Sequence, residues 1–145
     1  MWIDRLTASN TTRALELAAD FAEQRHRVLA ENLANIDVPD FHSQRLDPEQ
    51  FETALREALN GAEKTGSRGL ELRGNAQVST TPSGRLETRP AEEPASNVLF
   101  HDGTNARVEK LLADVANNTL SYETAMSLLK GKYDLLLRAI RGRTA

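Results

Sequence analysis

Residues 107–141 read RVEKLLADVANNTLSYETAMSLLKGKYDLLLRAIR. This stretch has no proline and a single glycine, Gly131, so it predicts one long helix. Steps of four and three residues from Val108 select ten positions, of which nine are apolar or aromatic. The positions are Val108, Leu112, Val115, Thr119, Tyr122, Met126, Leu129, Tyr133, Leu136 and Ile140. Such a period, kept over about four heptads, is typical of a coiled-coil seam.

Further apolar residues beside the seam widen it beyond what one partner helix would cover. These residues are Leu111, Ala125, Leu128 and Leu137. The alternative is the apolar face of an internal helix in a compact fold. A helix of this length would measure about 50 Å, whereas a compact domain of this size has a radius of gyration of roughly 15 Å. We therefore expect an elongated molecule.

A second helix is predicted from about residue 10 to residue 36, with Asn10, Thr11 or Thr12 as its cap. Its seam positions are Leu15, Ala18, Ala22, Leu29 and Ile36, interrupted by Arg25 and Asn32. These two polar residues either set the register of a helix pair or lie on a partly exposed seam. The helix should end before Pro39, because proline disfavours the helical conformation of the preceding residue.

The segment that ends this helix resembles the amino-terminal signature of the flagellar axial proteins, the family of rod, hook and hook-associated proteins. The matching residues are Asn32, Ala34, Asn35, Pro39 and Phe41. Val38 stands where the family usually has Thr, and Asp40 stands where it usually has Gly.

The other end of the chain resembles the proximal-rod type of the same family. Three motifs carry this resemblance: the turn at residues 99–105, the stretch Asn117-Asn118-Thr119-Leu120-Ser121-Tyr122, and the closing residues Ala139-Ile140-Arg141-Gly142. Together the two ends cover roughly half of the chain.

The resemblance implies a structural subunit of the bacterial flagellar basal-body rod, in a mainly α fold. Residues 1–41 would form an amino-terminal axial helix with its signature turn, and residues 104–145 a carboxyl-terminal one. The two helices would pair as a coiled-coil-like α-domain that assembles into the axial drive-shaft. Implied partners are other copies of the chain, neighbouring rod proteins, the inner-membrane ring and export-gate components. The implied location is the periplasmic side of the inner membrane, reached by type III export without a cleaved signal peptide.

Residues 42–103 form a middle segment of different character. Asp47 as cap, Pro48 in the first turn and Gln50 in the capping-box position predict a helix of about 13 residues ending at Gly61. Short strands are predicted at 70–72, 77–80 and 85–88, the last two joined through the turn at residues 81–84. Residues 90–94 are expected to be a solvated connector or disordered.

Composition argues against several classes of protein. The 145 residues carry 18 Lys and Arg against 21 Asp and Glu, without the basic excess of a nucleic-acid binder. The absence of cysteine excludes disulfides and thiolate metal sites. No apolar run approaches the length of a membrane span or resembles a signal-peptide core.

No active site is predicted. His26, His42 and His101 lack metal-ligand spacing, and His101-Asp102 beside Gly103 is explained by a turn before a helix. We expect no catalysis, cofactor, metal, small-molecule substrate or nucleic acid.

The last sixteen residues carry a net charge of +4, from Lys130, Lys132, Arg138, Arg141 and Arg143 against Asp134. This excess complements the helix dipole or marks a patch for a membrane surface or an acidic partner. Two other classes stay open for the whole chain, a coiled-coil adaptor or secretion chaperone, and an enzyme of unknown type.

Overall fold

The computed structural model describes residues 9–67, 69–93 and 103–142, of which 103–106 are described by their backbone. It is mainly helical, as predicted, with long helices at both ends. The helices are α1 (Asn10–Ala34), α2 (Pro48–Thr65) and α3 (Gly103–Ile140). Four short strands are β1 (Gln44–Arg45), β2 (Val78–Thr80), β3 (Leu86–Thr88) and β4 (Ala91–Glu92).

Helix α1 begins at residue 10, as predicted, but its cap lies one residue before the predicted caps. Ser9 is the N-cap, and its side-chain oxygen accepts a 3.2 Å hydrogen bond from the backbone N–H of Thr12. The helix ends at Ala34, two residues earlier than predicted, and a turn follows with a 3.0 Å bond from Val38 N–H to the Asn35 carbonyl. This turn carries the chain into β1.

Helix α2 starts as predicted, with Asp47 as cap and Pro48 in the first turn. The predicted stop at Gly61 is wrong, because the helix continues to Thr65 and thereby places Ala62 in the core. Gly66 ends it instead, with a φ of 64° and an N–H bonded to the Ala62 carbonyl. The left-handed conformation that favours glycine therefore occurs five residues later than expected.

Strands β2 and β3 form the predicted antiparallel hairpin, with Ser79 opposite Glu87. The predicted strand at 70–72 is absent, because the backbone N–H of Leu72 bonds to the side-chain oxygen of Thr80 at 3.1 Å and makes no ladder. The side chains of Leu70 and Leu72 are nevertheless buried in the core.

A second small sheet lies within the expected connector. β4 pairs antiparallel with β1, with Gln44 opposite Glu92, so residues 91 and 92 form an exposed strand in place of the expected connector or disorder. Such a short, exposed pairing has no hydrophobic alternation by which the sequence could reveal it. Pro94, at the end of the predicted connector, lies outside the described residues.

The hydrophobic core lies between one face of α1 and the middle segment. At its centre the rings of Phe21 in α1 and Phe51 in α2 stack with centroids 4.3 Å apart. The other core residues come from α1, α2, the hairpin and the connecting segments: Ala14, Leu17, Val28, Leu46, Ala54, Ala62, Leu70, Leu72, Val78 and Leu86. None of the described side chains of α3 belongs to this core.

Helix α3 runs antiparallel along a different side of α1, and it has 38 residues against 25 in α1. At about 1.5 Å per residue, α3 measures about 57 Å. Gly131 does not interrupt it, and no atom lies within 4 Å of the position a Cβ would take there. α1 therefore separates most of α3 from the middle segment, and the amino-terminal part of α3 contacts that segment directly through Lys110 and Glu93 at 2.8 Å.

Candidate assembly surface

The centre of the α1–α3 interface is polar. Asn118 in α3 is only 3% exposed, and its side-chain N–H donates a 2.8 Å hydrogen bond to the carbonyl of Ala22 in α1. One turn away, Arg25 of α1 pairs with Asp114 of α3 at 3.3 Å, and its Nε donates to the Leu46 carbonyl at 3.2 Å. Polar groups that find partners in only one alignment fix the register of a helix pair.

Two more contacts join the amino-terminal end of α1 to α3. The Lys132 ammonium donates to the N-cap oxygen of Ser9 at 3.0 Å, and the Tyr133 hydroxyl donates to the Glu16 carboxylate at 3.3 Å. Desolvation, followed by the charge and hydrogen bond of Glu16, raises the pKa of Tyr133. The polar contacts therefore continue along α1 to its N-cap.

The predicted seam of α3 divides into two rows. One row, at Val108, Val115, Leu129 and Leu136, is half-buried, and Tyr122 in the same row is 37% exposed. Beside this row, α1 covers positions that lie one residue before the predicted seam positions 112, 119 and 126. Of these covered residues, Leu111 is half-buried, and Asn118 and Ala125 are buried.

The second row is exposed. Leu112 is 50% exposed, Met126 41%, Tyr133 39% and Ile140 56%, and Thr119 is exposed with them. Leu137, 47% exposed, lies on the same side of the helix. We call Leu112, Met126, Tyr133, Leu137 and Ile140 the outer flank.

The predicted seam of α1 contacts more than one part of the protein. Ala22 and Leu29 are buried outside the hydrophobic core, whereas half-buried Ala18 packs against that core. Leu15 and Ile36 are half-buried. Of the two polar seam residues, Arg25 contacts α3 through Asp114. Asn32 instead contacts the middle segment.

Asn32 holds the strand that follows the signature turn. It is 4% exposed, its Oδ1 accepts from the Gln44 N–H at 2.9 Å, and its side-chain N–H donates to the Gln44 carbonyl at 2.6 Å. One amide side chain therefore satisfies both backbone groups of the first residue of β1. Asn32 thus links the end of α1 to the middle segment.

The other signature residues shape the turn itself. Ala34 is the last residue of α1, and Asn35 bonds through both its backbone and its side chain to the Glu31 carbonyl. Pro39 is exposed, and Phe41 is half-buried with its N–H bonded to the Val38 carbonyl at 3.3 Å. Asp40, at the family's glycine position, has a φ of 60°, a conformation that Asp tolerates better than most residues.

The remaining candidate groups are scattered. His26 is exposed, His42 pairs with Glu92, and His101 lies outside the described residues, as do Asp102, Arg143 and the start of the turn at 99–105. Within 9–67, 69–93 and 103–142, no group of three or more His, Cys, Asp or Glu could hold a metal ion. Across the same residues, no helix is both long enough and apolar enough to cross a membrane.

Asn118 and Asp114 are interface residues that the seam pattern does not predict. The available signal was an asparagine beside the apolar seam, one heptad before Ala125, where a small side chain permits close approach of two helices. Asn118 lies in one of the motifs that resemble the axial family.

Comparison with known proteins finds similarity to flagellar basal body rod proteins of several bacteria. The flagellar basal body rod protein FlgB of Salmonella typhimurium is 26% identical over 145 residues, covering 97% of this chain and 98% of the relative. The protein of the same name from Escherichia coli K12 is 26% identical over 96% of this chain and 97% of its own length. That of Bacillus subtilis 168 is 24% identical, with 92% and 95% covered.

No protein-family model matches the chain. The similarity nevertheless spans both terminal helices and the middle segment, which is more than the half of the chain covered by the motifs at its ends. The chain is therefore similar to FlgB-type flagellar basal-body rod proteins over nearly its whole length.

Proposed function

We propose that this protein is a structural subunit of the bacterial flagellar basal-body rod and that it assembles through its terminal helices. The single observation that carries the proposal is the similarity to FlgB proteins over 96–98% of both chains in the Salmonella and Escherichia coli comparisons. Residues 1–41 and 104–145 act as the axial part and residues 42–103 as the outer part. The subunit is exported by the type III apparatus and acts in the periplasmic rod.

The outer flank supports assembly through α3. Five large apolar side chains lie 39–56% exposed along one side of this helix, so covering the remaining exposed part of each stabilises a complex by roughly half of the 1.5–3 kcal/mol that burial of a whole side chain gives. Because α1 covers only the neighbouring side, the flank remains available to a helix of another subunit. Contacts between different surfaces of successive copies generate an open helical assembly.

The experiment is complementation of a strain that lacks the chain, scored by motility and by electron microscopy of purified basal bodies. Met126→Lys places a charge in the outer flank, where Met126 is already exposed in the subunit, so the fold should survive. Thr124→Lys, at an exposed position on the opposite side of α3, is the matched control.

We expect the Met126 variant to lack rods while it is expressed and folded, and the control to swim. Full motility with Met126→Lys would exclude the flank from assembly. Full motility of the strain without the chain would contradict the rod function itself.

A further inference from the structure

The outer flank is bordered by four charged residues of alternating sign. Glu123, Lys130, Asp134 and Arg141 are all exposed. At 3.6 residues per turn, they fall within an arc of about 40° on the helix surface. None of the four forms an ion pair with another described residue. The four charges therefore form one edge that runs beside the apolar side chains.

The order of these charges is complementary to itself when the helix direction is reversed. Glu123 and Arg141 lie nine residues on either side of Lys132, and Lys130 and Asp134 lie two residues on either side. A two-fold axis perpendicular to α3 near residue 132 would place each acidic residue opposite a basic residue of the second copy. A parallel pair, related by a two-fold axis along the helices, would instead place the two charged edges on opposite sides of the contact, where they do not meet.

The apolar residues fit the same arrangement. The axis passes next to Tyr133, which would meet the Tyr133 of the second copy. Met126 would lie level with residue 138 of that copy, between the side chains of Leu137 and Ile140. These four residues of the outer flank are all exposed in the single chain.

We infer that the free subunit pairs with a second copy through this part of α3, in an antiparallel, two-fold symmetric contact. The order of charges favours a second copy of this chain as the partner. In the antiparallel alignment, Glu123 faces Arg141 and Asp134 faces Lys130 of the second copy. The contact uses the same surface twice and therefore closes on itself. It covers four of the five outer-flank residues, so the pair must separate before that surface can bind a different neighbour.

The first test is sedimentation equilibrium of the full chain over a range of concentrations. Glu123→Arg and Arg141→Glu should each weaken self-association at least tenfold, since each places like charges opposite one another at two symmetric points. The double variant carrying both changes restores the complementary order and should recover the association. Glu109→Arg, an exposed change on α3 outside the overlap, is the matched control and should have no effect.

The second test uses the absence of cysteine from the chain. Tyr133→Cys should form a disulfide between copies, because residue 133 lies beside the axis. Met126→Cys alone should not, because the two copies of residue 126 would be about 18 Å apart along the helices, beyond disulfide reach. A mixture of Met126→Cys and Ile140→Cys chains should form the mixed disulfide.

A chain that stays monomeric at every concentration would overturn the inference. Equal effects of Glu123→Arg and the control, or efficient cross-linking of Met126→Cys to itself, would also overturn it. None of these results would bear on incorporation into rods, which is scored separately in the complementation experiment.

Discussion

The side-chain amide of Asn118 donates a 2.8 Å hydrogen bond to the backbone carbonyl of Ala22, and Asn118 is buried. This bond crosses between two helices that are 96 residues apart in the chain at this point. Neighbouring Asn117 is exposed. The pair of asparagines therefore offers a direct measure of how much one polar contact stabilises the α1–α3 interface.

Asn118→Ala should lower the free energy of unfolding by about 1 kcal/mol through loss of the bond. Asn118→Asp should cost more, about 2 kcal/mol or above, because it sets a carboxylate against a carbonyl oxygen in a buried site. Chemical denaturation of both variants beside Asn117→Ala measures the difference. Equal stability of the three proteins would show that the interface tolerates loss of this bond.

Asn32→Ala removes two hydrogen bonds at once and leaves both backbone groups of Gln44 without that partner. We expect a loss of about 2 kcal/mol. Asn35→Ala is the control within the same signature, since the Asn35 side chain bonds only to the Glu31 carbonyl at the helix end. Urea unfolding of the two variants should rank Asn32→Ala as clearly less stable, and the reverse order would contradict the assigned role of Asn32.

Substitutions at two residues with positive φ, Asp40 and Gly66, should change the stability of the fold in opposite directions. Asp40→Gly relieves a left-handed residue at φ 60° and should stabilise the fold by up to about 1 kcal/mol. Gly66→Ala introduces a side chain at φ 64° and should destabilise it by about 1 kcal/mol. Thermal unfolding checks both, and a lower melting temperature for Asp40→Gly would show that its side chain has another role.

Asp20 provides a pH-dependent prediction. Desolvation by burial, opposed by Arg13 and then assisted by Glu23, raises its pKa above 3.8. The folded state thus holds the proton more tightly, and the ionised carboxylate lowers stability above that pH. Asp20→Asn should therefore raise the melting temperature at pH 7, with a gain that disappears below about pH 3.8. Asp37→Asn, in the exposed turn, is the control, and a gain independent of pH would contradict this cause.

Hydrogen exchange should distinguish the two terminal helices. α1 supplies Leu17, Phe21 and Val28 to the core, whereas the buried side chains among the described residues of α3 are Asn118 and Ala125. Local opening costs least where few apolar contacts break. In the dilute subunit, amides at 17–28 should be strongly protected and those at 133–140 weakly protected. Similar protection of both sets would mean that α3 is held as firmly as α1.

The sequence predicts the long helices well because their periodic apolar residues and their caps are local signals. It predicts the β2–β3 hairpin for the same reason, since its turn residues are local. The extension of α2 past Gly61 depends on the burial of Ala62, which is a tertiary effect. The pairing of Gln44 with Glu92 depends on two segments that are distant in the chain.

Local sequence signals also do not predict which positions of α3 contact α1. Heptad counting from Val108 favours the large apolar residues, and these are Leu112, Met126 and Tyr133 in the second row. α1 instead packs on Asn118 and Ala125, because a small residue and a satisfied amide allow close approach. The heptad period identifies the apolar side of α3, but the packing of α1 determines which edge of that side is buried.

The four polar contacts between α1 and α3 also determine how the helix pair would respond to mechanical force. They lie at intervals along the pair, from Arg25 with Asp114 to Ser9 with Lys132. A pull parallel to the helices loads them together as a shear joint. A pull that lifts the carboxyl-terminal end of α3 sideways loads them one after another as a peeling joint. The pair should therefore resist axial loads far better than lateral ones, and stretching single molecules in the two directions would measure the difference.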